Sequence, residues 1–204
     1  MEDIKNILFD LGGVILDLDR DSAVRRYKEI GLDSAEELLD PYHQKGVFLA
    51  LEEGRVSKEA FHEEVRRISG KNLSDEDIDE ALLRFITHTP TYKLEMLEQL
   101  RKKYKLYLLS NTNPVIMDWA LSPDFPANGK ILSDYFDKMY LSYKIGITKP
   151  DKRIFEYVIA DTGLIPSETL YIDDGVANIA MGKALGMKTY CPKNKEDFRH
   201  IFGL

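Results

Sequence analysis

The sequence has a single cysteine, Cys191, so no internal disulfide can form and a reducing compartment, the cytoplasm, is expected. No apolar run approaches the roughly 20 residues that a membrane-crossing helix needs. The opening Met1-Glu2-Asp3 lacks the basic and apolar stretches of a secretory signal. Excess positive charge is also missing: the formal net charge is -7, which excludes a broad attraction to nucleic acid or acidic membrane. Internal repeats and low-complexity tracts are absent. The four histidines, His43, His62, His88 and His200, show no metal-ligand spacing, and Cys191 and the sole tryptophan, Trp119, read as packing residues.

What is present is the material of a globular protein. A chain of 204 residues, 44% hydrophobic and 31% charged, can bury a sizeable core, either as one compact unit or as a core with a modest insertion. Short apolar runs of strand length occur at Ile4 to Asp10, Leu106 to Ser110, Lys138 to Ser142, Thr169 to Asp173 and Met187 to Cys191. Helical periodicity separates the later ones, over Tyr92 to Lys103, Lys152 to Thr162 and Val176 to Leu185. Strands alternating with helices predict an α/β fold built on a doubly wound parallel sheet.

The stretch from Asp19 to Thr89 breaks that alternation, with several helical patterns and no convincing strand. Ser34 to Glu37 reads as a capping box, and Ser57 and Ser74 read as N-caps of two further helices. The expected organisation is therefore a core of residues 1–18 and 90–204 carrying an all-helical insertion, 19–89.

In an open α/β sheet, ligands bind beyond the carboxyl ends of the strands. Here those ends carry Asp10, then Ser110-Asn111-Thr112, then Asp173-Asp174, and Lys149-Pro150 opens a helix after a loop. A phosphoryl group repels an attacking carboxylate unless cations and hydrogen-bond donors neutralise its charge. Lys149 and Ser110 offer those contacts, and the aspartates offer hard oxygens suited to Mg²⁺.

Four segments, Phe9 to Val14, Leu109 to Asn113, Gly146 to Pro150 and Tyr171 to Asn178, occur in the order of the four motifs of the haloacid dehalogenase (HAD) superfamily, which the chain resembles over nearly its whole length. The resemblance implies a Rossmann-like core with an inserted α-helical cap, and a Mg²⁺-dependent phosphatase acting on a small phosphorylated metabolite. By it, Asp10 is the nucleophile that forms an aspartyl phosphate. Ser110, Asn111 and Lys149 bind the phosphoryl group, while Asp10, the Gly12 carbonyl and Asp173 or Asp174 hold the metal. The Asp-Leu-Gly opening, Leu51 to Phe61 and Leu109 to Asn113 further resemble a bacterial branch that dephosphorylates α-D-glucose 1-phosphate. In the cap, Phe48, Glu52, Glu53 and Arg55 are candidates to reach a substrate, set against the solvated face that charged residues of a helical hairpin usually form.

One departure matters. Phosphatases of this superfamily mostly carry a second aspartate two residues after the nucleophile, as general acid and base, and here that position is Gly12. General acid–base catalysis contributes about 10²–10⁴-fold, so a slower enzyme, a substituted donor or a substrate-assisted step is expected. Asp17 and Asp19 are near in sequence but read as the exit from the motif loop. Alternatives to hydrolysis are a phosphosugar mutase and a weakly active phosphate-binding regulator. A haloacid dehalogenase is disfavoured, because Asp173-Asp174 would repel a carboxylate substrate without a cation between them.

Overall fold

The computed structural model describes residues 3–40 and 44–204; His43 lies outside them. Its strands are β1 (Asn6–Phe9), β2 (Asp17–Leu18), β3 (Ile86–His88), β4 (Lys105–Ser110), β5 (Lys138–Leu141), β6 (Thr169–Ile172) and β7 (Lys188–Tyr190). Its helices are α1 (Arg20–Glu29), α2 (Ala35–Leu38), α3 (Gly46–Glu52), α4 (Lys58–Ser69), α5 (Asp75–Leu83), α6 (Thr91–Leu100), α7 (Pro114–Ala120), α8 (Ser142–Ile145), α9 (Lys152–Thr162) and α10 (Val176–Ala184).

Five strands form one parallel sheet in the order β5-β4-β1-β6-β7, with β1 at its centre. A central strand covered on both faces must be apolar at every position, which is why Ile7, Leu8 and Phe9 form an unbroken run. Side chains alternate between faces. Ile7 and Phe9 join Leu106, Leu108, Leu170 and Ile172 under α6, whereas Leu8, Leu109 and Tyr171 pack against Ile154, Phe155 and Val158 of α9. The fold is thus the α/β, doubly wound, Rossmann-like sheet that the sequence predicts.

Helices α1–α5 gather around a separate apolar cluster that includes Tyr27, Phe48, Leu51, Phe61 and Ile78. Its aromatic rings meet edge to face, Tyr27 on Phe48 at 5.2 Å and Phe48 on Phe61 at 5.1 Å. Val115 of α7 also enters this cluster and so ties it to the core. This helical cap is joined to the sheet by two chain segments that pair as the antiparallel ribbon β2–β3. We place the boundary of the inserted unit at that ribbon.

Three expectations are corrected by the structure. The segment from Asp19 to Thr89 does contain a strand, β3, whose three residues form a ladder because β2 lies beside them; too short for periodicity, it has no local signal. Ser34 builds no capping box: its backbone is not extended, its hydroxyl makes no cap bond, and it is buried without a partner. By contrast, the Ser57 and Ser74 hydroxyls accept from the Ala60 and Asp77 amides at 3.2 and 3.1 Å. Trp119 packs edge-on against Phe125 at 5.4 Å, but Cys191 is exposed rather than packed.

Candidate active site

Because β4, β1 and β6 are adjacent and parallel, the residues at their carboxyl ends share one edge of the sheet. Ser110 ends β4, and Asp10 and Asp173 directly follow β1 and β6. The ladder continues past the strands: the Asp10 amide donates to the Ile172 carbonyl at 2.8 Å. Lys149 reaches the same edge from the loop between α8 and α9.

The Lys149 ammonium is buried, and each of its three protons has an acceptor: Asp10 Oδ1 at 2.8 Å, Asp173 Oδ2 at 2.6 Å and the Leu109 carbonyl at 2.9 Å. Burial works against its charge, but Asp10 and Asp173 outweigh that penalty and leave its pKa raised. Asn111 holds the lysine from behind. Its side chain donates to the Lys149 carbonyl at 3.0 Å and accepts from the Lys149 amide at 2.8 Å. The Ser110 hydroxyl is 2% exposed, and its intramolecular acceptor, the Asn111 carbonyl, lies at 3.4 Å, beyond the usual O–H···O reach. It is available to a ligand.

Asp173 is fully buried, with both oxygens engaged. Oδ1 accepts from the Gly175 amide at 2.7 Å and from Asn178 Nδ2 at 2.9 Å, and Oδ2 accepts from Lys149 and the Tyr171 hydroxyl. Burial alone would raise its pKa, but the lysine charge and these hydrogen bonds hold it below the ordinary value. Asp174 is exposed to the site and lies against Gly13. At that glycine, φ is +72° and a Cβ would come within 2.1 Å of Asp174 Oδ2, so no other residue fits without moving the carboxylate.

Asp10, Asp173 and Asp174 each place a carboxylate oxygen within 4.8 Å of the others. Three carboxylates face one ammonium, which leaves the cluster anionic. Desolvation, reinforced by Asp173 and Asp174 and opposed by Lys149, pushes the Asp10 carboxyl above its ordinary range. Desolvation and then the Asp173 charge push Asp174 up to about 6. A compact, all-oxygen set short of positive charge fits a magnesium ion.

Above the cluster, core and cap enclose a cavity of about 370 Å³ lined by Asp10, Gly12, Ser110 and Asp174 from below and by Phe48, Leu51 and Glu52 from the cap. Of the cap residues expected at a substrate, Phe48 and Glu52 reach this cavity, whereas Glu53 and Arg55 pair with each other at 2.5 Å outside its lining. Asp17 and Asp19 have other tasks. Asp17 takes the buried Lys93 ammonium at 2.9 Å, and Asp19 caps α1 through the Ser22 amide at 3.1 Å. Tyr171 and Asn178 bound the fourth motif segment, but the sequence reading gave neither a role. Tyr171 lies two residues before Asp173, the spacing that shares a sheet face, and Asn178 lies in the first turn of α10, so both had a readable signal.

This geometry is that of a capped α/β hydrolase. Residues 4–186 match the haloacid dehalogenase-like hydrolase family, and the chain belongs to it. Among its relatives is D-ribitol-5-phosphate phosphatase of Bacteroides thetaiotaomicron, 50% identical over 196 residues, which span 96% of this chain and 95% of that protein. A HAD-like hydrolase of Porphyromonas gingivalis is 46% identical, with a TM-score of 0.94 over 98% of this chain and 96% of its own. A HAD family enzyme of Bacteroides thetaiotaomicron, crystallised as an aspartate-to-alanine mutant with magnesium and inorganic phosphate, is 42% identical, with a TM-score of 0.94 over 98% of both chains. L-2-haloacid dehalogenase of Xanthobacter autotrophicus, at 18% identity and a TM-score of 0.59 over 91% of this chain and 76% of its own, shares the fold alone.

Proposed function

We propose that this hydrolase dephosphorylates a small sugar or sugar-alcohol phosphate, with the 5-phosphate of a pentitol as the leading candidate and Asp10 as the nucleophile. The chain is a magnesium-dependent phosphoric monoester hydrolase. The observation that carries the residue roles is the convergence of Asp10, Lys149, Asp173 and Asp174 beneath a cavity of about 370 Å³, at the small end of the range for metabolite sites. The 50%-identical relative favours a pentitol phosphate over the glucose 1-phosphate expected from the sequence. A single, exposed cysteine is consistent with the cytoplasm as the compartment.

In this reading an Asp10 oxygen attacks phosphorus and the ester oxygen departs, leaving an aspartyl phosphate that water then opens. Lys149, its three protons taken by Asp10, Asp173 and the Leu109 carbonyl, holds Asp10 in place and supplies positive charge beneath the phosphoryl group, the Ser110 hydroxyl donates to the phosphoryl oxygens, and Asn111 acts by fixing the lysine backbone. Asp10, the Gly12 carbonyl and Asp174 would hold the metal. Asp173, with both oxygens already engaged, anchors Lys149 and the loop that carries Asp174. Magnesium, when bound, neutralises phosphoryl charge that the carboxylates would otherwise repel.

The test is inorganic phosphate release from D-ribitol 5-phosphate, α-D-glucose 1-phosphate and other alkyl phosphates, with Mg²⁺ or EDTA. Parent protein should turn over at least one ester in Mg²⁺, lose that activity in EDTA and lose it on Asp10→Asn. A phosphate-free exchange between isomeric sugar phosphates would indicate a mutase instead, and no Asp10-dependent release from any ester would end the proposal.

A further inference from the structure

We infer that Glu52, carried by the cap, is the acid and base that replaces the aspartate missing at Gly12, an inference that rests on the phosphatase reading above. Gly12 has no side chain to move a proton, so a substituted donor from the protein has to come from another element lining the cavity. Four carboxylates line it: Asp10, Asp40, Glu52 and Asp174. Asp10 and Asp174 belong to the acidic cluster, and Asp40 pairs with Lys45 at 3.4 Å. Among the described residues, nothing donates a hydrogen bond to the Glu52 carboxylate and no cation pairs with it.

The backbone fixes where Glu52 sits. It is the last residue of α3, and its carbonyl accepts from the Ser142 hydroxyl of the core at 2.7 Å. Two residues on, Gly54 turns with φ +64° against the Tyr143 carbonyl, so close that a Cβ there would lie 2.0 Å from that oxygen. The α3–α4 turn is therefore seated on α8, and Glu52 lines the same cavity as Asp10. Burial first, then the negative charges of Asp10 and Glu53, push its carboxyl up to about 8, against the opposite pull of Lys149. That direction favours the protonated form, the state a general acid needs.

The proton balance closes over two steps. As the Asp10 oxygen bonds to phosphorus and the phosphorus–oxygen ester bond breaks, the Glu52 proton passes to the departing alkoxide oxygen. The Glu52 carboxylate then takes a proton from the water that attacks phosphorus. The bond to Asp10 breaks, phosphate leaves, and both side chains return to their starting states.

Leaving groups separate this role from substrate binding. An alkoxide needs the proton, whereas the phenolate of p-nitrophenyl phosphate departs without it, and kcat/KM reports the first irreversible step. Glu52→Gln should lower kcat/KM by about 10²–10⁴-fold on the alkyl phosphate that the parent turns over best, and leave kcat/KM for p-nitrophenyl phosphate close to the parent value. A retained kcat/KM on the aryl ester also shows that the variant folds. Equal losses on the two esters, or no loss on either, overturn the inference while leaving the phosphatase reading intact. If the parent shows no Asp10-dependent release from either ester, the phosphatase reading fails and the inference goes with it.

Discussion

Lys149 and its acceptors show how a buried charge is tolerated. Two carboxylates and a carbonyl satisfy all three ammonium protons, and Asn111 fixes the backbone that carries them. Replacing the lysine by an apolar chain of similar length leaves two buried carboxylates without a counter-charge. Breaking a buried pair in this way costs about 3–5 kcal/mol. Lys149→Met should therefore lower the stability measured by urea unfolding in EDTA by that order, and an unchanged midpoint would show that the triad contributes nothing. The identities of Asp10, Ser110, Lys149, Asp173 and Asp174 were legible in the sequence, because strand ends and flanking glycines mark them. Their mutual contacts were not, since 139 positions of sequence separate Lys149 from Asp10 and the pairing distance belongs to the sheet.

At the scale of elements, helix starts distinguish local chemistry from tertiary accident. The Ser57 and Ser74 hydroxyls each satisfy an amide that the first turn leaves open, whereas the Ser34 hydroxyl is buried and satisfies none. Ser57→Ala should cost about 1 kcal/mol in urea unfolding. Ser34→Ala should be close to neutral or mildly stabilising, because it removes a buried hydroxyl with no partner. The reverse ranking would refute these cap assignments. The five core strands and the helices α6, α9 and α10 were readable from periodicity within a few residues. The ribbon strands β2 and β3 and the short helices α7 and α8 were not: runs of two to seven residues contain too few periods, and they form because the rest of the fold presents a partner.

Over the whole molecule, the cap meets the core by seating the α3–α4 turn on α8, and this brings Glu52 to the cavity with Asp10 and Glu53 as like charges and Lys149 as the opposing one. A glutamate with an ordinary value of 4.5 that is pushed up to about 8 holds its proton longer folded than unfolded. Between those two values the folded state binds more protons, so this residue makes stability fall as pH rises through the window. Glu52→Gln removes that slope. Unfolding of parent and variant in urea with EDTA should show the variant gaining stability relative to the parent from about pH 5 to about pH 8, and a constant difference would mean that Glu52 titrates normally.

The sequence by itself determined the parallel α/β core, the helical cap, the family and the residue types at each strand end, because each is written in local periodicity or in a motif of a few adjacent residues. Tertiary structure alone decided that both Asp173 oxygens are engaged, that Asn111 grips Lys149, and that a cap glutamate lines the same cavity as Asp10. Those facts depend on distances between segments far apart in the chain, and packing sets such distances while spacing along the sequence does not.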